Sequence, residues 1–328
     1  MPHGGRPDRM RRNLTVTARL AGMLALALFI SACAQRAPLT DQLTQGAATP
    51  PPVELTDVPF HPQRRYQCGP AALATVLAYA GHPVDPDQLR DRVYVPARRG
   101  SLQPEMRAAA RDHGLLPVAH PADLLTLAET LDQGHPILVM QNLGFERLPV
   151  WHYAVVVGID VRADEVILRS GTRERETLSL RRFERSWARA DHWAITLHPA
   201  DILPAHATER SWLAAAAPFE QTGALDIAET AYSTAAGRWP ERFHVQMGLG
   251  NVRYQAGAFS DAEAAFRRAI ALDPDHPAGW HNLAWALIRQ ERLAEAEAPA
   301  RRAATLAATR QHAHANTYDG ALNALNTD

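Results

Sequence analysis

Three residue types in this sequence have the spacing of a thiol site. Cys68 stands in RRYQCGPAAL (64–73), just ahead of a long uncharged run. Gln63 lies five residues upstream in VPFHPQ, and His152 opens the apolar stretch HYAVVVGID (152–160). A cysteine at the start of a helix meets free N–H groups and the positive end of the helix dipole, which stabilise a thiolate. Gly69-Pro70 suits the first turn, where a missing N–H costs nothing. A thiolate that attacks a carbonyl creates an oxyanion, and the Cys68 N–H and the Gln63 amide are suited to receive it. A base is then required. His61, His82, His120, His135 and His198 each precede a proline in apparent loops, and His113 ends a helix; His152 is held by a strand. Taken singly, a cysteine or a strand-opening histidine is more often structural. Their combination with Gln63 carries the chemical reading.

The elements that must position these groups follow from periodicity. CGPAALATVLAYAG carries Leu73, Val76, Leu77 and Ala80 at helical spacing, has no charge, and stops at Gly81. Such a helix is buried on most sides. Further helices are expected at 85–93, at 102–113 with Ser101 as N-cap, and at 121–133. Strands are expected at 136–141, 152–160, 165–170, 176–180 and 192–198, with a short helix at 181–188. Helices followed by an antiparallel sheet make an α+β domain over residues 55–200.

The C-terminal part repeats. Leu249 and Leu283, Ala262 and Ala296, and Ala269 and Ala303 are each 34 residues apart, as are Gly223 and Gly257. This period, with Gly250, Tyr254, Phe266, Pro274 and Trp280 in place, resembles the tetratricopeptide repeat. Three repeats fit residues 205–310, at 209–242, 243–276 and 277–310. Small residues such as Ala262 let the helices of a pair approach, while Phe266 or Tyr232 fills the seam. Residues 311–328 are expected to form a polar capping tail.

The 328 residues carry 34 basic and 35 acidic side chains. This balance argues against a nucleic-acid partner. Every basic residue is arginine, so lysine chemistry is excluded. Residues 1–32 read as a signal peptide: Arg11 and Arg12, an apolar core at 20–30, then ISAC (30–33), which resembles a bacterial lipobox. Lipid is therefore expected on Cys33, and Ala34 after it implies the outer membrane, facing the periplasm. Residues 33–54 are Pro-rich and read as a tether. Cys68 is then left without a disulfide partner.

VPFHPQRRYQCGPAAL together with WHYAVVVGID resembles the papain-like cysteine peptidases of the bacteriocin-processing, double-glycine-leader type. Within them it is most similar to free-standing bacterial lipoproteins with C-terminal tetratricopeptide repeats. The resemblance implies an α+β papain-like domain followed by an all-α repeat domain. It makes Cys68 the nucleophile, His152 the general base and Gln63 the oxyanion-hole residue, with no cofactor and no metal. The expected function is a membrane-anchored periplasmic cysteine peptidase acting on a peptide or protein substrate, with a protein partner in the repeat groove. Alternatives are a non-catalytic binding lipoprotein on the same fold and a Cys-dependent amidase or acyltransferase. One departure stands out. The family usually orients the histidine with an Asp, often Asp-Pro, where this chain has Ser170-Gly171. Asp160, eight residues along the same strand, is roughly 26 Å from His152 at about 3.3 Å per residue. Ser170, Thr172 and Glu174 are the candidates for orienting it.

Overall fold

The computed structural model describes residues 37–46, 49–63, 67–98, 100–309 and 318–325. The signal peptide with Cys33, and 311–317 and 326–328 of the tail, lie outside the described residues.

The stretch expected as a tether, 33–54, contains a helix and a short strand among its described residues. Helix α1 (Pro38–Gln45) docks on the domain, with Leu43 buried and the Leu39 and Thr40 N–H groups donating to the Glu184 carboxylate at 2.9 and 2.7 Å. Strand β1 (Val53–Glu54) follows. Helix α2 (Cys68–Tyr79) buries every residue from Gly69 to Leu77, and Gly81 ends it at φ +87°. Asp85 caps α3 (Pro86–Val93) by accepting from Asp87 N–H.

Ser101 is not the N-cap of the next helix. It pairs with Tyr94 in a ribbon of β2 (Tyr94–Val95) and β3 (Gly100–Ser101). Leu102 precedes α4 (Gln103–Asp112) instead. The ribbon lies so close to α2 that a Cβ on Gly69 would overlap the Ser101 side chain, so the residue after the cysteine must be glycine.

Strand β4 (Leu116–Ala119) was not expected, because its apolar run is short and holds Pro117. It is an edge strand, paired only with the last strand of the domain, where a missing N–H is tolerated. Asp123 caps α5 (Leu124–Asp132). Then come β5 (Ile137–Asn142), β6 (Trp151–Asp160), β7 (Glu165–Ser170) and β8 (Arg173–Leu178). Strand β8 ends before the expected Leu180, because the Ser179 hydroxyl accepts from Arg182 N–H and starts α6 (Leu180–Ala188). Strand β9 (Ala194–His198) closes the domain.

Seven strands form one antiparallel sheet in the order β4-β9-β5-β6-β7-β8, with β1 on β6. Helices cover both faces. Tyr153, Val155 and Val157 of β6 face α2, α3 and α4; Ala154 and Val156 face α5 and α6. Burial on both faces explains why β6 reads as one apolar run.

The repeat region consists of three antiparallel helix pairs: α7 (Glu209–Thr222) with α8 (Leu225–Arg238), α9 (Phe243–Gln255) with α10 (Phe259–Leu272), and α11 (Pro277–Ile288) with α12 (Leu293–Thr309). Ala228, Ala262 and Ala296 are fully buried, as the repeat pattern requires. A Cβ on Gly250 would overlap the Phe266 ring. Helix α13 (Gly320–Leu325) covers the last pair, burying Ala321.

The two regions share a core. Leu116 and Val118 of β4 pack with Trp212, Ala215, Ala216 and Phe219 of α7. Beside this junction four histidines meet. His120 hydrogen-bonds Thr130 (3.0 Å), His206 shares Thr130 (3.5 Å) and Thr196 (3.1 Å), His198 bonds Thr196 (2.8 Å), and the His135 ring stands edge-on to His198. Burial, then the neighbouring His135 and His206, holds His198 down to about 3. His206 is held as low by burial and by His120 and His135.

Candidate active site

Cys68 sits at the first position of α2, where the ribbon against Gly69 fixes the helix start. Its thiol faces a small cavity whose walls include His61, Gln63, Thr75, Tyr153, Ser170 and Gly171. Gln63 is brought there by its backbone N–H, which donates to the Gly171 carbonyl at 2.8 Å. The loop before the cysteine is thereby pinned to the β7–β8 turn, next to Ser170. Arg169 strengthens this tie. It is 6% exposed and donates to the carbonyls of Val58, Glu174 and Thr56 at 3.1, 2.8 and 3.1 Å.

His152 is the second residue of β6, opposite Gln141 of β5. Its Nε2 lies 2.9 Å from Ser170 Oγ. Ser170 is therefore the histidine's partner, and it borders both the Cys68 cavity and a second one that His152 lines. Glu174 is not an orienter: it is exposed and uses its carbonyl to accept from Arg169. Thr172 is exposed as well. The carboxylate that acts on His152 is Glu176, on the wall of the second cavity. Alternation along β8 puts Glu176 on the same face as Glu174, and only register distinguishes them.

Burial works against the expected thiolate. Burial pushes the Cys68 thiol above its ordinary range, and backbone amide hydrogen bonds from Tyr153, Gly69 and Cys68 itself act against that rise. Burial likewise holds His152 below the ordinary imidazole range, with Glu176 acting in the opposite sense. Both shifts favour the neutral forms of the two groups, which stand on adjoining cavities with Ser170 between them. The expectation from the helix dipole considered the helix end alone and left out the desolvation of the thiol in its folded surroundings. Among the described residues no cluster of His, Cys, Asp or Glu has the arrangement to hold a metal ion.

With this geometry in view, residues 55–195 match the family described as "Peptidase_C39 like family". Residues 55–195 form a C39-like peptidase domain. Residues 213–277 and 249–313 match the tetratricopeptide repeat. No curated protein matches the chain. Solved structures similar to the C39-like domain include a C39-like peptidase from Bacillus anthracis, at 18% identity over 45% of this chain and 97% of that one, TM-score 0.38. Another is the peptidase domain of Streptococcus ComA, a bifunctional ABC transporter of a quorum-sensing pathway, at 26% identity over 43% and 98% of the two chains, TM-score 0.35. The repeat region is similar to the TPR2B domain of yeast Sti1, solved with a pHsp70 partner, at 19% identity over 36% and 94%, TM-score 0.34.

Proposed function

We propose that the chain is a cysteine peptidase of the bacterial cell envelope, held to the membrane by lipid on Cys33 and carrying a repeat arm for a peptide or protein partner. One observation carries the reading: Gln63, Cys68 and Ser170 line one cavity, and Ser170 holds the His152 ring. With Nε2 on Ser170, Nδ1 is the nitrogen left to exchange a proton with the thiol. His152 accepts the Cys68 proton as Sγ bonds to the carbonyl carbon of the scissile peptide. The carbonyl oxygen becomes an oxyanion facing the Gln63 amide and the Cys68 N–H. The C–N bond then breaks, His152 returns the proton to the leaving amine, and water hydrolyses the thioester. Because the resting pair is neutral, proton transfer accompanies attack instead of preceding it.

Ser170 and the neutral pair also favour a second reading, a binding lipoprotein that keeps the fold without turnover. The discriminating measurement is hydrolysis of a peptide library by the mature protein, with iodoacetamide labelling of Cys68 in parallel. Wild type should cleave, while Cys68→Ala and His152→Ala should lose at least about a thousandfold. Labelling with no cleavage of any peptide would leave the binding reading. Cys33→Ala should move the protein from the membrane to the soluble fraction; unchanged partition would remove the anchor.

A further inference from the structure

The second cavity, of about 280 Å³, holds more positive charge than the structure neutralises. Arg182, Arg185 and Arg189 form one stripe on α6 and its C-cap, at spacings of three and four residues. Like charges at such spacing destabilise a helix. Arg189 is fixed by its donations to the Asn142 carbonyl at 3.1 and 2.8 Å. Other arginines nearby have acidic partners: Arg173 pairs with Glu176, Arg175 with Glu54 and Arg181 with Asp41. Arg182 and Arg185, which face the cavity, have no such partner among the described residues. The only acid on the wall among the described residues is Glu176, and it is shared with Arg173 at 3.6 Å. A concave wall on which the Arg182 and Arg185 guanidinium groups have no acidic partner among the described residues focuses a positive potential. A guanidinium matches a carboxylate through two parallel hydrogen bonds.

The position of the cavity decides which part of a substrate it serves. His152 lines it, and the Cys68 cavity lies across Ser170. In acyl transfer the histidine must give its proton to the leaving amine, so the leaving half of the substrate lies on the histidine's side. We infer that the Arg182–Arg185–Arg189 cavity binds a substrate carboxylate on the leaving-group side of the scissile bond, either an acidic side chain or the peptide's own C-terminus. This rests on the peptidase reading for the direction of the chain, but carboxylate selectivity can be measured without turnover.

The test uses the full mature chain carrying Cys68→Ala, with fluorescent octapeptides of Ala and Gly. One contains a single Glu and an amidated C-terminus, the second Gln and a free C-terminus, and the third Gln and an amidated C-terminus. Anisotropy should show the first or the second binding at least about tenfold more tightly than the third, and the preferred one identifies the source of the carboxylate. The advantage should shrink with added salt and vanish in Arg182→Gln/Arg185→Gln. Arg185→Glu should turn the preference toward a Lys-containing peptide. Circular dichroism checks folding, since both side chains are exposed. Equal binding of the three peptides, binding of none up to millimolar concentration, or selectivity that survives the double variant would overturn the inference. Carboxylate selectivity together with an inert wild-type enzyme would instead sink the peptidase reading and leave the cavity standing.

Discussion

The C39-like domain and the repeat arm bury different materials. The first seals polar groups inside its layers: Arg169, Glu184, Gln141, Thr196 and His198 are all buried, each with hydrogen-bond partners. In the repeat helices the buried polar residues are Gln246 and Glu263 alone among those described, and the seams are filled by Ala, Gly and aromatic rings. A polar interior fixes groups across long sequence separations, which a site made of Gln63, Cys68, His152 and Ser170 requires. It also makes stability depend on protonation. A seam of small residues depends first on shape, with Glu263, where hydrogen-bond partners outweigh burial, and His281, which burial governs, the groups there held below their ordinary ranges.

The sharpest way to break this division is at the junction, where the two regions share one core. Trp212 is fully buried against Leu116 and Val118 and donates to the Ala231 carbonyl at 2.8 Å. Trp212→Ala should cost about 3–5 kcal/mol. Because the cluster spans both regions, denaturant unfolding should show one shifted transition in helix signal and in Cys68 accessibility. A shift confined to the helices would mean that the regions unfold separately.

Acid should act chiefly through buried histidines of the first region and its border, and through the shared core it should lower the single transition of both regions. Unfolded imidazole binds a proton near 6.5, whereas buried His198 does so only near about 3. The unfolded state therefore binds more protons below neutrality. Stability is whole above about pH 7 and drains as pH falls from about 6.5 toward 3. His198 alone removes about 2 kcal/mol by about pH 5. Unfolding monitored at the two pH values checks this, and His198→Gln should flatten the difference.

Ser170→Asp should raise a slow hydrolysis about tenfold, equal to about 1.4 kcal/mol, since a carboxylate at Nε2 stabilises the imidazolium better than a hydroxyl. A folded variant with an unchanged rate would show that Glu176 already supplies that charge.

Gly250→Ala sets overpacking of about 1–3 kcal/mol against a helix-propensity gain of about 1, for a net loss of about 1 kcal/mol. The loss should be the same at pH 5 and at neutrality; a pH-dependent loss would contradict the division between the regions.

Much of this was legible where one physical signal dominates. Periodicity alone gave α2, β5, β6 and β7 within a residue or two, and the 34-residue spacing gave all three helix pairs. Residue chemistry and the family resemblance brought Gln63, Cys68 and Ser170 to one cavity. What escaped depends on partners distant in sequence. Strand β4 is too short to announce itself and exists because β9 and α7 cover it. Helix α1 is ordered by Glu184, more than a hundred residues away. Glu176 was missed in favour of Glu174 because strand register, not spacing, selects between them. The upward push on the Cys68 thiol was not legible because desolvation belongs to the folded surroundings and not to the helix end.

If Cys33 carries the proposed lipid, the docking of α1 also sets a radius of action. Glu184 grips the chain at Leu39 and Thr40, and Arg181 pairs with Asp41. From Cys33 to Pro38 is five residues, at most about 18 Å of fully extended chain. With lipid on Cys33, the C39-like domain rides at berth against the bilayer, in place of ranging on a leash four times as long. A peptidase so anchored would reach only polypeptides that come within a few nanometres of the membrane surface.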